Sequence, residues 1–394
     1  MQVLYQFQTA AKIIAGRDSL YTLGEHLDSV AAGIRSALVV TQPFIQSSGI
    51  LDGLLNQLME KGIQAQVTLD VLPEPTLENI EEVYRDTLGA AGASVDVIIG
   101  IGGGSVLDAA KILSVLPANG GFIRSFLGTN LIKQAGIPTV LIPTTSGTGA
   151  EVTPNAIVTI PEEELKIGVV SPYLLPQLVI LDPMVTLGLP QAVTAATGMD
   201  AFTHSLESFI SNKANPISDM FALESIRLIA SSILEAYHHG SSIEARENML
   251  LGSMYGGMAL TSAGTAAVHA LAYPLGGKFK IAHGVANSML LPHVMEFNMD
   301  AAAPRLRIAG AAMGLDVNGL SEQQAAEAVI RRIAEWTQEL NIPQNLQQYG
   351  VSEEDVEELS FSAAKVTRLL NNNPKPVSVE DMKVIYRKLL PQSS

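Results

Sequence analysis

The chain has 394 residues, more than one hydrophobic core usually supports, so two or three domains are expected. Apolar residues make up 47% and charged residues 16%, a compact globular profile that excludes a disordered or coiled-coil chain. The 24 basic and 39 acidic side chains leave a net charge of −15 with no Lys/Arg-rich run, which argues against nucleic acid or an anionic membrane as partner.

Local backbone N–H groups and a helix N-terminus can hold an anionic cofactor against such a field, so net charge says little about a site. There is no cysteine, which excludes disulfides, thiolate ligands and a cysteine nucleophile and leaves His, Asp and Glu for metal or acid/base work. The N-terminal MQVLYQFQTAAKII lacks the pattern of a signal peptide, and no apolar stretch reaches the roughly 18 residues of a membrane span. A cytoplasmic protein is expected.

In chain order, short β-rich apolar runs alternate with helical stretches up to about residue 183: ALVVT (37–41), AQVTL (65–69), VDVIIGIG (95–102), PTVLIP (138–143), IGVV (167–170) and LVILD (178–182). The alternation predicts a parallel sheet covered by helices. Between the runs, SSGILDGLLNQLMEKG (47–62) has helical spacing and stops at Gly62, suited to a left-handed C-terminus. Residues 1–183 are therefore assigned to an α/β domain.

The turn signals Asp182, Pro183, Gly188 and Pro190 mark a boundary, with Pro190 expected at the first position of a helix. Beyond it the runs 192–210, 217–239, 244–263 and 321–341 carry apolar residues at 3.6-type spacing, so residues 184–394 are expected to be all helix. Low complexity is confined to the turn Asn371, Asn372, Asn373, Pro374.

In VDVIIGIGGGSVLDAAK (95–111) an apolar run enters a glycine cluster and leaves as a helix, the place where α/β sheets bind phosphate. Gly102, Gly103 and Gly104 would let a pyrophosphate approach the backbone, Ser105 would cap the helix and donate to phosphate, and Asp108 and Lys111 fall on its first turns. The spacing is neither G-x-G-x-x-G nor a Walker motif, and a ligand-free strand-to-helix turn is the alternative reading of this stretch alone. A second loop, PTTSGTGAEVT (143–153), brings the hydroxyls of Thr144, Thr145, Ser146 and Thr148 to the end of another predicted strand, which favours a dinucleotide over two ordinary turns.

Within GMDAFTHSLES, Asp200 and His204 stand four apart on one helical face. HALAYPLGGKFKIAH (269–283) adds His269 and His283, and one carboxylate with three imidazoles suits Fe²⁺ or Zn²⁺ better than Mg²⁺ or Ca²⁺. A helix-surface hydrogen bond and two loop histidines read from the same spacing, which does not bring 200–204 and 269–283 together.

GGGSVLDAAK, PTTSGTGAEVT, AATGMDAFTHSLES and HALAYPLGG…AHGVANSMLLPHV, in this order, closely resemble the iron-containing (group III) alcohol dehydrogenase family over almost the whole chain. The resemblance implies a dehydroquinate-synthase-like architecture: an N-terminal dinucleotide-binding α/β domain with a parallel sheet, an all-α C-terminal domain, and a metal in the cleft between them. It implies Asp200, His204, His269 and His283 as ligands of one Fe²⁺, with Zn²⁺ the alternative. It implies Gly103, Gly104 and Ser105 on the pyrophosphate, and Thr144, Thr145, Thr148, Asn155 and Lys166 along the nucleotide. The implied reaction is reversible hydride transfer between nicotinamide C4 and a metal-bound small alcohol or aldehyde, in a homodimer or larger homo-oligomer.

Two positions depart from many relatives. Gln42 follows Val-Val-Thr where those carry Asp, and a neutral amide bonds a ribose hydroxyl without repelling a 2′-phosphate, so NAD(H) and NADP(H) both stay open. Tyr273 stands where many have a second histidine thought to relay protons; a phenol with a pKa of about 10 donates a proton but is a poor base.

Rival readings are a Zn²⁺-dependent glycerol-dehydrogenase-like or dehydroquinate-synthase-like enzyme and, in another class, a nucleotide-binding protein with a vestigial metal site. Glu207, one turn beyond His204, is expected as an exposed helix carboxylate, with orientation of a metal ligand from behind as the alternative; His26, His238, His239 and His293 are expected as surface or loop residues, and Trp336 as a core or interface anchor.

Overall fold

A computed structural model of the chain describes residues 4–89, 94–161 and 165–391. Two compact units are present: one of Gln8–Thr145 with Gly149–Gly188, the other running from Leu189 onward with Ser146–Thr148 and the N-terminal residues through Phe7.

The first unit holds strands β1 (Ile13–Ala15), β2 (Ser36–Val40), β3 (Gln64–Thr68), β4 (Val97–Gly102), β5 (Gly128–Thr129), β6 (Thr139–Pro143), β7 (Asn155–Ile160), β8 (Leu165–Val170) and β9 (Leu178–Leu181). Its helices are α1 (Leu23–His26), α2 (Pro43–Ser47), α3 (Ile50–Glu60), α4 (Leu77–Thr87) and α5 (Gly104–Val115). Six strands form one sheet in the order β1-β9-β6-β4-β2-β3, every pairing parallel. The sheet is buried on both faces because alternate residues serve two cores. Leu38, Val40, Ile98 and Leu141 pack with α4 and α5, while Val39, Ile99, Val140 and Ile180 pack with Leu51, Leu54 and Leu58 of α3.

One predicted strand is placed differently. IGVV (167–170) lies in β8, outside the parallel sheet, pairing antiparallel with β7 and parallel with β5 in a separate three-stranded sheet. An apolar run signals a strand but carries no information about its partner's direction. Gly62 has φ 71°, the left-handed helix end expected of it.

The sheet order puts β2 between β3 and β4: the chain steps from β2 out to β3 and then crosses back past β2 to β4, so the winding reverses there. Ligands collect at such a crevice, outside the carboxyl ends of the strands. Gln42 follows β2 there, and the glycine cluster follows β4. The helix after that cluster lies unusually close to the strand: a Cβ on Gly100 would stand 2.9 Å from the Ala110 Cβ, and one on Gly102 2.7 Å from Val106. Gly102 is thus required by helix–strand packing, whatever else approaches the loop.

The second unit consists of α6 (Gln191–Ile210), α7 (Pro216–His238), α8 (Ile243–Ala263), α9 (Ala267–Phe279), α10 (His283–Ala312), α11 (Glu322–Glu339), α12 (Val356–Ala364), α13 (Thr367–Leu370) and α14 (Val379–Arg387). Among the described residues it has no strand. Pro190 precedes α6 rather than opening it, because its ψ of 150° is extended. Trp336 is buried in the core of this unit, edge-on to Phe202 with ring centroids 5.1 Å apart.

The stretch 269–283 is not a loop. His269 lies in the first turns of α9, which carries Pro274 inside it, and His283 is the first residue of α10; Lys280, at φ 56°, makes the break between them. The asparagine turn is also more than a turn, since Asn298 and Asn373 exchange amide hydrogen bonds of 2.9 and 2.7 Å in the interior. His238 and His239 are exposed as expected, whereas His293 is half-buried within α10.

Candidate functional site

The 3.6-residue repeat of α6 places Asp200 and His204 on one inward face, both buried. His269 from α9 and His283 from α10 meet them, so that one ligand atom from each of the four lies within 4.8 Å of the others. Asp200 Oδ1 is 3.9 Å from His269 Nε2 and 3.8 Å from His283 Nε2. The His204 and His269 rings stack at 4.6 Å, and the His269 and His283 rings stand 5.3 Å apart.

Two close approaches build this cluster. A Cβ on Gly284 would lie 2.3 Å from the Ala196 carbonyl oxygen, so only glycine lets the start of α10 meet α6 and carry His283 in. A Cβ on Gly147 would lie 2.8 Å from the Thr197 Cβ, so glycine lets that carbonyl reach His204. His204 Nδ1 is 3.2 Å from the Gly147 oxygen, and His269 Nδ1 is 2.6 Å from Glu207 Oε2. Both partners are acceptors, so both rings carry the proton on Nδ1 and direct a lone pair on Nε2 inward.

Burial raises the Asp200 pKa, but the electrostatic influence of the neighbouring His204, His283 and His269 and a 2.7 Å hydrogen bond from Asn287 Nδ2 outweigh it and hold the carboxyl below its ordinary range. Burial depresses His204, reinforced by His269 and opposed by Asp200, and so favours the neutral ring. The set is one carboxylate and three imidazoles, the donors that suit a divalent borderline metal. His269 Nε2 is buried without a hydrogen-bond partner, an arrangement costly to a polar atom unless something else occupies the position. The residues present fit a metal ion.

Three further residues stand behind the four ligands: Asn287 and Gly147, which the sequence does not single out, and Glu207, which takes the second of its two readings. Glu207 is not an exposed carboxylate: it is fully buried and accepts from His269, Ala266 N and Val268 N. Its signal was in the sequence, since seven residues after Asp200 and three after His204 is the same helical stripe. Asn287, one turn after His283, bonds Asp200 and lies 3.2 Å from His283 Nε2. Gly147 had no signal beyond a glycine in a turn. Tyr273, one turn after His269, is buried with its ring 5.9 Å from that of His283.

At the glycine loop, Gly103 precedes α5 and would carry a Cβ 3.4 Å from Thr145, while Gly104 begins the helix. Ser105 does not cap α5. It lies within the first turn, and its Oγ accepts from Glu74 N, because the chain folds the 71–76 loop onto that turn. Thr144 N bonds the Gly102 carbonyl, tying the two loops at their roots, and Thr148 belongs to the helical unit. Gln42 precedes α2, its Nε2 3.5 Å from the Val71 carbonyl.

Asp108 accepts from Ile157 N and pairs with Lys111, so its carboxylate is engaged within the fold. Lys111 is buried and donates to the carbonyls of Thr153 and Asn155 at 3.2 and 2.5 Å, gathering the residues after the second loop. Burial pushes Lys111 down and Asp108 up, each opposed by the other's charge. Lys166 on β8 pairs with Glu74 at 2.8 Å.

Among the described residues no helix is long and apolar enough to cross a membrane. The chain matches the iron-containing alcohol dehydrogenase model over residues 10–183 and the C-terminal model of the same family over 194–390. It is 39% identical to long-chain-alcohol dehydrogenase 1 of Geobacillus thermodenitrificans, over 90% of this chain and 89% of that one. Identity to the NAD-dependent methanol dehydrogenase of Bacillus methanolicus is 32%, over 96% and 97%. The solved alcohol dehydrogenase from Oenococcus oeni superposes with a TM-score of 0.93 at 32% identity, over 98% of this chain and all of that one. The chain belongs to the iron-containing alcohol dehydrogenase family and is an oxidoreductase acting on the CH–OH group of an alcohol.

Proposed function

We propose that Asp200, His204, His269 and His283 together hold one divalent metal, Fe²⁺ with Zn²⁺ as the alternative, in an NAD(P)-linked dehydrogenase of small alcohols and aldehydes. The observation that carries this is the buried, unpartnered His269 Nε2 inside a cluster whose four ligand atoms lie within 4.8 Å. Residues 184–394 form the metal domain of this reading and residues 1–183 the dinucleotide domain. The pyrophosphate is assigned to Gly102, Gly103, Gly104 and Ser105. Asp108, Thr144, Thr145, Thr148, Asn155 and Lys166 complete the nucleotide site by contact or by holding its walls.

When bound, the metal supplies a Lewis acid that favours the alkoxide form of the substrate, and the nicotinamide supplies or accepts the hydride. The chain's own groups prepare that chemistry. Asp200, kept ionised, contributes the one negative charge of the donor set, and Asn287 fixes the orientation of its carboxylate. His204 and His269 are held as Nδ1–H tautomers by acceptors behind them. Tyr273, beside His283, is assigned the weaker role of a hydrogen-bond donor at the substrate, with its phenol proton available in reduction.

Gln42, at the end of β2 beside the crevice, offers the ribose a neutral amide that does not repel a 2′-phosphate, so either NAD(H) or NADP(H) fits this reading. A cytoplasmic homodimer or larger homo-oligomer is part of the same reading, carried over with the family. The test is oxidation of NADH and of NADPH with a panel of short aldehydes, using protein stripped of metal and then reloaded with Fe²⁺ or Zn²⁺. Stripping is expected to abolish turnover and one metal to restore it. Full turnover after complete stripping would refute the metal-dependent reading.

A further inference from the structure

We infer that Glu207 is a positioning residue for the proposed metal centre: it sets the tautomer of His269 and fixes the start of α9, from which that ring projects. The inference rests on the metal reading for its consequence, but its geometry stands apart from it.

Glu207 is 0% exposed. A carboxylate in that position is costly unless hydrogen bonds engage its oxygens. Three donors do so. Oε2 accepts from Ala266 N at 2.9 Å and from His269 Nδ1 at 2.6 Å, and Oε1 accepts from Val268 N at 2.6 Å. Two of these are N–H groups at the N-terminus of α9, which an α-helix leaves without intrahelical partners. The residue preceding the helix, Ala266, has no side-chain oxygen to cap it. Glu207 therefore caps α9 from another helix and places a negative charge at its positive end.

The third donor links this cap to the metal chemistry. An ionised carboxylate only accepts, so His269 Nδ1 must carry the proton, and the neutral ring then has its lone pair on Nε2. That Nε2 is the buried atom left without a partner. A carboxylate behind a ligating imidazole also raises its basicity. Gly147 uses a neutral carbonyl for the same purpose at His204, whereas His269 has a full charge behind it.

Glutamine at 207 keeps the volume but has one acceptor oxygen for three donors. Its amide N–H₂ faces Val268 N–H if it takes the Oε1 position, and both Ala266 N–H and His269 Nδ1 if it takes the Oε2 position. In the second case it donates to Nδ1, moves the ring proton to Nε2 and removes the ligand lone pair.

The experiment is ¹⁵N-histidine NMR on the metal-stripped full chain, with the His269 signals identified by their loss in His269→Gln. Nδ1–H is expected for His269, and an Nε2–H tautomer in the wild-type chain would overturn the inference. Glu207→Gln is then compared with wild type for tautomer and for Zn²⁺ affinity against a chromophoric chelator. The expected result is an inverted or mixed tautomer and affinity weaker by about 10- to 100-fold. A folded Glu207→Gln with wild-type tautomer and affinity would show a merely structural cap and overturn it. If that variant does not fold, the wild-type tautomer decides. Failure of the wild-type chain to bind either Fe²⁺ or Zn²⁺ would instead refute the metal reading, an outcome separate from the tautomer measurement.

Discussion

His269→Ala is expected to abolish metal occupancy and to lower turnover on the order of 10³-fold while leaving dinucleotide binding intact. The rate figure follows from the several kcal/mol that a Lewis acid contributes, at about 1.4 kcal/mol per factor of ten. Dinucleotide binding survives because the glycine loop after β4 is built from the other compact unit and shares no residue with the cluster. The substitution has a second, separable consequence. It removes one of the three donors to the buried Glu207 carboxylate, so stability should fall by about 1–3 kcal/mol. Metal content by elemental analysis, NADH binding by fluorescence and a melting curve read the three effects independently. Stoichiometric metal with turnover within about tenfold of wild type would remove His269 from the ligand set.

What the sequence carried about this centre was local. Asp200 and His204 share a helical face by spacing alone, and the helical periods of α6, α7, α8 and α11 were legible within a residue or two. That α10 brings His283 to the same point depends on Gly284 packing against Ala196, a contact between residues 88 positions apart that no periodicity encodes. The resemblance to a family supplied what spacing did not. For Glu207 the exposed reading is favoured over the ligand-orienting one because carboxylates on helices are mostly exposed, and the α9 N-terminus that explains its burial has no local signal. The fate of IGVV in β8 shows the same limit in the sheet, where strand propensity is local and partner choice is not.

Glu151 is a buried group whose titration should contribute to the pH dependence of the α/β unit. It sits in the turn after Gly149 with 1% exposure, and its Oε1 has no hydrogen-bond partner. Burial raises its pKa from 4.5 to about 7; the Lys111 charge pulls against that shift and the Asp108 charge adds to it. Below the unfolded value both states are protonated, and the buried neutral carboxyl costs least. As pH rises the unfolded chain ionises first, so stability falls until the folded pKa is passed and then levels off. The whole change is about 3 kcal/mol at about 1.4 kcal/mol per pH unit. Glu151→Gln keeps the neutral form at every pH. Its unfolding free energy relative to wild type should therefore shift by about 3 kcal/mol in its own favour between about pH 4 and about pH 9. The comparison cancels the titrations of Lys111 and Asp108 to the extent that they are common to both proteins. Urea denaturation of the two across that range is the measurement. Parallel curves would mean that Glu151 ionises in the folded chain as it does in the unfolded one, with Lys111 as a sufficient counter-charge.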